Sequence, residues 1–539
     1  MPKKIVTLFL LLSVIVGREL FLDGSFATHD DLQVMRLFQM HMCLSDGQIP
    51  CRYLSEMGFG YGQPTFNYYS AFPYYLGAFF NLLNISYLTT VKLLYFLNLF
   101  LAGCFFYKFA RSHLSSVASF IAASAFVLVP YRAVDIFVRG ALAEITALTL
   151  LPLLLYSFYK LSKEPKLSNT LFSSVILFFF LTTHNLTTLI SLPLIIVYLL
   201  YLCLKNTSSL KHSFLASSLG VGLSAFFLLP VLFERNLINM AGLTSGYLDF
   251  HSHFSSLSQL FFDLSWPFEA KPSAFIGVIP SIVLFTSPLT IYFSKKRILP
   301  ILFLLLTLVF LFMSHAKSSF IWESLPFLSF VQFPWRFLGL VMFGSAFLAG
   351  FLLDAIPARF VKVSALVIFT VLLILFLPLT RFESHDYFAT DSTILSGKSL
   401  VIQSGGGVAD YLPVSSKKIP NKPSPQTPST ITGTADIKKF EKRTNYFVID
   451  LEVFSASADV VIPLTYFPNW RVYPDGSLSP LPLTFDNQYG LITVIVPKGK
   501  HTLQGFFENT PLRQIGNTIS IISLSIIILL YLRSKQTDA

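Results

Sequence analysis

The feature that most constrains this chain is a succession of apolar runs, most of them near the ~20 residues that carry a helix, at 1.5 Å per residue, across the ~30 Å core of a bilayer. With Lys3 and Lys4 taken as cytoplasmic, spans are expected near residues 5–22, 88–110, 115–130, 142–159, 170–183, 186–204, 213–232, 273–293, 298–314, 337–356, 361–379 and 513–532. Only 12% of the 539 residues are charged and 53% are hydrophobic. A soluble protein would carry about twice that charge, so the soluble class is excluded. The alternation sends Arg111 with His113, KLSKEPK, KNTSSLKH, SKKR, PARFVK and RSK to one side, as the positive-inside rule requires. The net charge of +11 therefore reports topology, and no nucleic-acid partner is expected.

The expected fold is a mainly α, multi-pass integral membrane protein of about twelve transmembrane helices, with the bilayer as its first partner. The run AFPYYLGAFFNLL (71–83) is short for a span and reads as re-entrant, interfacial or the start of a broken helix. The N-terminus also has the basic start and apolar core of a signal peptide, with SFA before Thr28 as a tolerable cleavage site. Beyond residue 380 the chain becomes loop and linker. NYFVIDLEVF, ADVVIPLTYF, GLITVIVP and HTLQGFFE then alternate as strands of a small β domain outside the cytoplasm. The domains are expected at 1–380 (membrane), 381–510 (β-rich) and 511–539 (last helix and cytoplasmic tail).

The face opposite the basic loops collects the polar residues: His29, Asp30 and Asp31, then Arg132, Asp135, Arg139 and Glu144, His184 and Asn185, Glu234 and Arg235, and Gln332 and Arg336. Ionisable groups at membrane depth are costly, so their clustering at one face marks a cavity. Cys43 and Cys51, either side of LSDGQIP, reach one another as a disulfide if Asp46-Gly47 turns; the alternative is two small buried thiols. Asp249, His251 and His253 of DFHSHF would suit a divalent metal only on a strand or loop, and no cofactor is otherwise expected. THDD has a local reading of its own, as an N-cap for the helix LQVMRLFQM.

THDDLQVMRLFQ, DGQIPCRY, GYGQPTFNYYSAFPYYLG, RGALAEITALTLLPLLLY, TTHNLTTLI, VQFPWRFLG, YFPNWRVYPDG and ENTPLRQIGNTIS, in this order, resemble the prokaryotic membrane proteins called 6-pyruvoyl-tetrahydropterin synthase-related. These in turn are similar to the GT-C superfamily, the polyprenyl-phosphate-sugar-dependent glycosyltransferases. The resemblance implies a protein of the prokaryotic cell membrane and cell envelope. It would use a polyprenyl-phosphate-linked sugar donor, a glycan, lipid or protein acceptor and an extracytoplasmic active face, and transfer with inversion. It places an acidic residue just after the first span as general base, where this chain has Asp30 and Asp31. Adjacent helical residues diverge by about 100°, so one of them, Asp30 by preference, would face the substrate while Asp31 or His29 shapes its surroundings.

Arg139 and Arg336 would hold the donor's phosphate as guanidinium forks, unless Arg139 is spent on Glu144 or Asp135. His184, Asn185, Gln332, Glu144 and Tyr61 complete the expected substrate-binding set; an interfacial aromatic belt explains the other loop tyrosines equally well. Two other functions need the same spans and polar cavity: a transporter or flippase of lipid-linked saccharides, and a non-catalytic scaffold of envelope assembly.

Overall fold

A computed structural model describes residues 1–261, 275–295 and 297–537. Lys271 and Lys296, and the start of the span expected at 273–293, lie outside the described residues. Among the described residues each expected span falls at least in part on a helix. Six are individually long and apolar enough to cross a bilayer: Tyr87–Arg111, Leu142–Lys163, Asn185–Lys205, Pro334–Asp354, Ala358–Leu379 and Pro511–Ser534. Two more crossings are bent pairs, Ser116–Leu128 with Pro130–Val138 at 44° and Thr207–Leu223 with Ala225–Phe233 at 71°. The remaining apolar helices are Leu167–Leu181, Val278–Phe293 and Ile298–Met313, with Lys3–Val16 at the start of the chain. Among the described residues, length and composition thus give six spans, or eight with the bent pairs, where about twelve are expected.

The bends have local causes. Pro130 lacks an N–H and sits at the start of its half-helix, so the preceding helix stops at Leu128. At the second bend the Ser224 hydroxyl donates back to Gly220 O (2.9 Å), and the freed Phe226 N–H donates to Ser520 Oγ (2.9 Å) of the last helix. A backbone donor exposed in lipid would cost several kcal/mol, so a serine on the neighbouring helix is what makes this kink tolerable. Gly516 permits the approach, because a Cβ there would lie 2.8 Å from Ala225 O.

The first helix packs on Tyr87–Arg111 through Phe9, whose ring lies where a Cβ on Gly103 would fall, at 2.6 Å. The expected first span ends early: the helix stops at Val16, and Arg18–Phe21 continues as a 3-10 turn. The loop that follows is a small layer of its own. It holds helix Gln33–Ser45, a Cys43–Cys51 disulfide (Cα–Cα 5.5 Å) and helix Phe72–Leu82, which leaves Phe79 and Leu82 exposed. The basic loops meet at the other end of the bundle. There Ser115 N–H donates to Asp354 Oδ1 (3.3 Å) and Asn206 Nδ2 to Ser162 O (2.6 Å).

The C-terminal sheet has six antiparallel strands. The four expected segments form only two long strands, Tyr446–Thr465 and Leu491–Phe507, paired along their length from Tyr446↔Phe506 to Thr465↔Leu491. Ser455–Ser457 and Lys498-Gly499 read as turns, yet they oppose one another at a register shift between Val453↔Gly499 and Ser457↔Pro497. The edge strand Ala435–Lys442 lies where no strand is expected, because Lys438 and Lys439 face water and interrupt its alternation. Phe447, Ile449, Leu451, Ile492, Val494 and Trp470 fill the core, and Tyr53 and Tyr68 of the first loop join it. The sheet is docked by Tyr53 OH on Thr465 O (2.8 Å) and by Thr465 N–H on Tyr61 O (2.7 Å).

Candidate active site

The THDD segment is extended between two supports. Ser25–Phe26 pairs antiparallel with His385–Asp386, and His29 and Asp30 donate their N–H groups to Val138 O (2.9 Å) and Arg139 O (2.8 Å). The turn at Val138–Ala141 accepts this approach because Gly140 has φ +65 and no side chain; a Cβ there would lie 2.5 Å from Thr28 Oγ1. Its carbonyl is held by Tyr95 OH (2.7 Å) and Gln33 Nε2 (2.8 Å).

Capping does not account for the acidic pair. The helix begins at Gln33 with Leu32 as its N-cap, and no side chain caps it. Asp30 instead accepts from side chains of that helix: Arg36 Nη1 reaches both carboxylate oxygens (2.9 and 2.8 Å) and Gln33 Nε2 reaches one (2.9 Å). Gln33 and Arg36 are three apart and so share a face of the helix. Arg36 is buried and its guanidinium stacks over Tyr69 (4.8 Å). Asp31 accepts from Gln403 Nε2 (3.3 Å), and burial together with neighbouring Asp30 pushes its carboxyl above the usual range.

A second polar group lies on the bundle side. The chain from Val134 to Val138 makes a wide helical turn in which Arg139 N–H reaches Val134 O, five residues back, and this brings Asp135 and Arg139 together. Arg139 pairs with Asp135 and with Glu144 Oε2 (3.0 Å), under the Trp335 ring (4.5 Å). Glu144 also accepts from Tyr131 OH (2.5 Å) and lies 3.3 Å from Arg336 Nε. Arg336 donates to Val331 O (2.6 Å) and Gln332 Oε1 (3.2 Å). The internal pairing weighed for Arg139 is therefore what the fold adopts, with both carboxylates.

One cavity of about 870 Å³ connects the two groups. His29, Asp30, Asp31, Arg139, Glu144, His184, Asn185, Gln332 and Arg336 all line it. The amides of Asn185 and Gln332 are spent on protein, Asn185 on Tyr68 O and Ser70, Gln332 on Leu243 O and Arg336. His184 caps helix Asn185–Lys205, its Nδ1 accepting the Thr187 N–H. Tyr61 is not brought in: its ring packs on Tyr489 (5.3 Å), and the residue ties the loop to the sheet. Asp249, His251 and His253 do not meet at a point either. His251 bonds Asp249 (2.7 Å), His253 faces Tyr247 O (2.5 Å), and among the described residues no three metal-binding side chains cluster.

Three further residues that the sequence does not single out line the same cavity, Arg36, Asp410 and Tyr411, together with Tyr68 and Tyr69, two of the loop tyrosines that an aromatic belt explains equally well. Arg36 stands six residues after Asp30 in the same motif, and that spacing was the available signal. Asp410 follows the GGGV stretch, whose glycines let the backbone pass Leu32; a Cβ on Gly406 would lie 2.4 Å from the leucine. The Asp410 carboxylate makes no hydrogen bond or ion pair with the described residues. Burial pushes it up to about 6, against the pull of Arg36 and with a further push from Asp30. Arg235, at the exposed rim, likewise has no acidic partner among the described residues, whereas Arg139 and Arg336 do. The rest of the lining is apolar, with Leu186, Leu189, Leu192, Leu228, Val231 and Leu232 from the two helices that flank the opening; Leu192 and Leu232 are 39% and 58% exposed.

Over 225 residues the chain is 24% identical to an uncharacterized protein of Lactococcus lactis subsp. cremoris (strain MG1363), a match that covers 39% of this chain and 37% of that protein. Among solved structures, the arabinofuranosyltransferase AftD from Mycobacteria aligns with a TM-score of 0.43 and 17% identity, over 70% of this chain and 27% of that one. The apo oligosaccharyltransferase of Archaeoglobus fulgidus aligns with a TM-score of 0.42 and 14% identity, over 71% and 56%. The profile of the 6-pyruvoyl-tetrahydropterin synthase related domain, described as a membrane protein, matches residues 66–382, more than half of the 539, and the chain belongs to that family.

Proposed function

We propose that this chain is a membrane glycosyltransferase that moves a sugar from a polyprenyl-phosphate donor to an acceptor outside the cytoplasm, at the end of the bundle opposite the basic loops. The observation that carries the reading is one cavity in which a leucine-rich wall, with Leu192 and Leu232 partly exposed, leads to a polar end holding acids and arginines. A prenyl chain fits the leucine wall, and its phosphate fits cations beyond it. Arg235, with no acidic partner among the described residues, and Arg336 are the groups to receive the phosphate.

In this scheme an acceptor hydroxyl attacks the anomeric carbon, the bond from that carbon to the phosphate oxygen breaks, and the hydroxyl proton passes to a carboxylate. Asp30 is the proposed base, held by Arg36 and Gln33 at a fixed angle, with Asp31 and His29 beside it. The lipid phosphate is the leaving group, so neither a nucleotide nor a covalent enzyme intermediate is needed, and a single displacement inverts the centre. A specific observation favours a second assignment within the same reaction: Asp410 is the carboxylate in this cavity without a partner among the described residues, while both oxygens of Asp30 are occupied.

The test is sugar transfer or donor hydrolysis by the purified protein in nanodiscs, supplied with polyprenyl-phosphate sugars, for wild type, Asp30→Asn and Asp410→Asn. Loss in one variant identifies the base. If no donor is consumed but proteoliposomes carry lipid-linked saccharides across, the transporter reading replaces this one; a scaffold would do neither.

A further inference from the structure

A second cavity, of about 500 Å³, also lies against Asp30 and Asp31, so the acidic segment is a wall with a chamber on each side. Resting on the transferase reading above, we propose that this chamber binds the acceptor, and that the acceptor end it takes is an uncharged, hydroxyl-rich carbohydrate.

The two chambers are sorted by charge. The first is lined by Arg36, Arg139, Arg235 and Arg336. The second has Asp30, Asp31 and Asp386 and, among the described residues, no lysine or arginine. A phosphorylated or uronic-acid acceptor would meet Asp31 and Asp386 there with no cation in the described lining, the only counter-charge being Arg36 on Asp30 from the first chamber. A polyol meets partners: carboxylates and amides take and give hydrogen bonds to hydroxyl groups, and Thr393 and Ser399 add hydroxyls of their own. Two lining atoms lack a hydrogen-bond partner among the described residues. Gln403, 8% exposed, has its Oε1 unbonded, and so has His385 its Nε2. A buried polar atom left without a hydrogen bond is costly, and a ligand hydroxyl satisfies it.

The far wall is rigid enough to hold a ligand in register. Asp391 accepts the Tyr87 and Leu88 N–H groups (2.7 and 2.9 Å), capping the long helix Tyr87–Arg111 and fixing the short helices Asp391–Ile394 and Gly397–Gly405 beside it. The volume lies within the roughly 300–1,000 Å³ range of small-molecule sites. Transfer then runs through the wall. The acceptor oxygen bonds the anomeric carbon of the donor in the first chamber, the carbon–oxygen bond to the lipid phosphate breaks with its electron pair on the phosphate, and the acceptor proton goes to a wall carboxylate. Glycosylated acceptor and polyprenyl phosphate are the products.

The experiment uses the full chain in nanodiscs with three probes: methyl glycosides of neutral hexoses, the matching methyl glucuronide, and radiolabelled polyprenyl monophosphate. Saccharide contact is read by saturation-transfer NMR, and thermal unfolding checks each variant. The wild type should bind a neutral glycoside at least tenfold more tightly than the glucuronide. Ser399→Trp, which fills the chamber, and Gln403→Leu, which removes the unbonded amide oxygen together with the donor to Asp31, should each weaken the neutral glycoside at least tenfold while polyprenyl monophosphate binding is kept. Absence of glycoside binding, equal binding of the glucuronide, or binding indifferent to both variants overturns the proposal. Loss of polyprenyl phosphate binding with the glycoside site intact overturns the transferase reading and leaves the chamber.

Discussion

Replacing Asp410 by Asn tests the electrostatics of the cavity without knowledge of any substrate. Burial raises this carboxyl from the ordinary 3.8 to about 6. The folded protein therefore holds the proton more tightly than the unfolded chain does. The stability contributed by the protonated form is complete below about pH 3.8, is lost as pH climbs to about 6, and is absent at neutral pH, where the carboxylate is ionised in a poorly hydrated place. Two pH units correspond to at most about 3 kcal/mol, and partial access of water reduces this to roughly 1–2 kcal/mol. Asn carries no charge at any pH. Asp410→Asn should therefore unfold at a temperature higher than wild type by a few degrees at pH 7.5 and at nearly the same temperature at pH 4, read by a thermal shift assay in nanodiscs. If Asp410 also accepts the proton, the variant that gains stability loses transfer by roughly 10²-fold. A thermal difference of the same size at both pH values would refute the argument that burial of this group is what is being relieved.

Three further expectations follow from the same geometry. Asp30→Asn should lower turnover roughly 10²-fold or more and destabilise the fold by about 1–3 kcal/mol, because Arg36 is left buried without its counter-charge. Arg36→Gln added to it should restore the melting temperature but not the transfer. Replacing Cys43 and Cys51 by Ser should cost roughly a kcal/mol or more, and peptide mapping without reductant should recover the two cysteines as one linked species from the native protein. Single cysteines at Lys317 and Asp386 should label with an impermeant reagent from outside intact cells, and one at Lys205 should not; labelling of both sets from one side would sink the topology.

The spans were legible because a bilayer imposes one pattern, long apolar runs with basic residues gathered at one end, and among the described residues each expected run lies at least in part on a helix. What was not legible was how far each helix stays straight. Ser224 bends its helix by 71° because a serine on the last helix, almost 300 residues away, satisfies the freed N–H. The sheet failed for a related reason. Ser455–Ser457 and Lys498-Gly499 have turn composition, and only their pairing across the sheet makes them a register shift. In the site, nine of the ten expected side chains in the catalytic and substrate-binding sets do line one cavity, since charge in a membrane protein has few places to be. Tyr61 failed because an aromatic loop residue packs a docked sheet as readily as it binds a sugar. Asp410 was missed because it reaches the cavity from a segment about 370 residues beyond Asp30 and Arg36, which no local spacing reports, whereas Arg36 was readable from its six-residue spacing to Asp30.

The position of the acidic segment rests on one glycine, and that makes a test of the whole arrangement. Gly140 has φ +65, where a residue with a side chain costs roughly 1–2 kcal/mol, and the methyl of an alanine would stand 2.5 Å from Thr28 Oγ1 and 3.0 Å from Asp30 O. The segment must move by several tenths of an ångström or more, carrying Asp30 away from Arg36 and Gln33. A displacement near 1 Å can cost a reaction roughly 10²-fold, far more than the accompanying loss of stability suggests. Gly140→Ala should therefore lower transfer at least tenfold while its melting temperature falls by only a few degrees. Thr28→Gly in the same chain removes the Thr28 Oγ1 and Cβ atoms, 2.5 and 2.8 Å away, and should recover much of the transfer, although the contact with Asp30 O and the backbone strain at residue 140 remain. A Gly140→Ala protein with wild-type transfer would mean that the chemistry does not depend on where this turn holds Asp30.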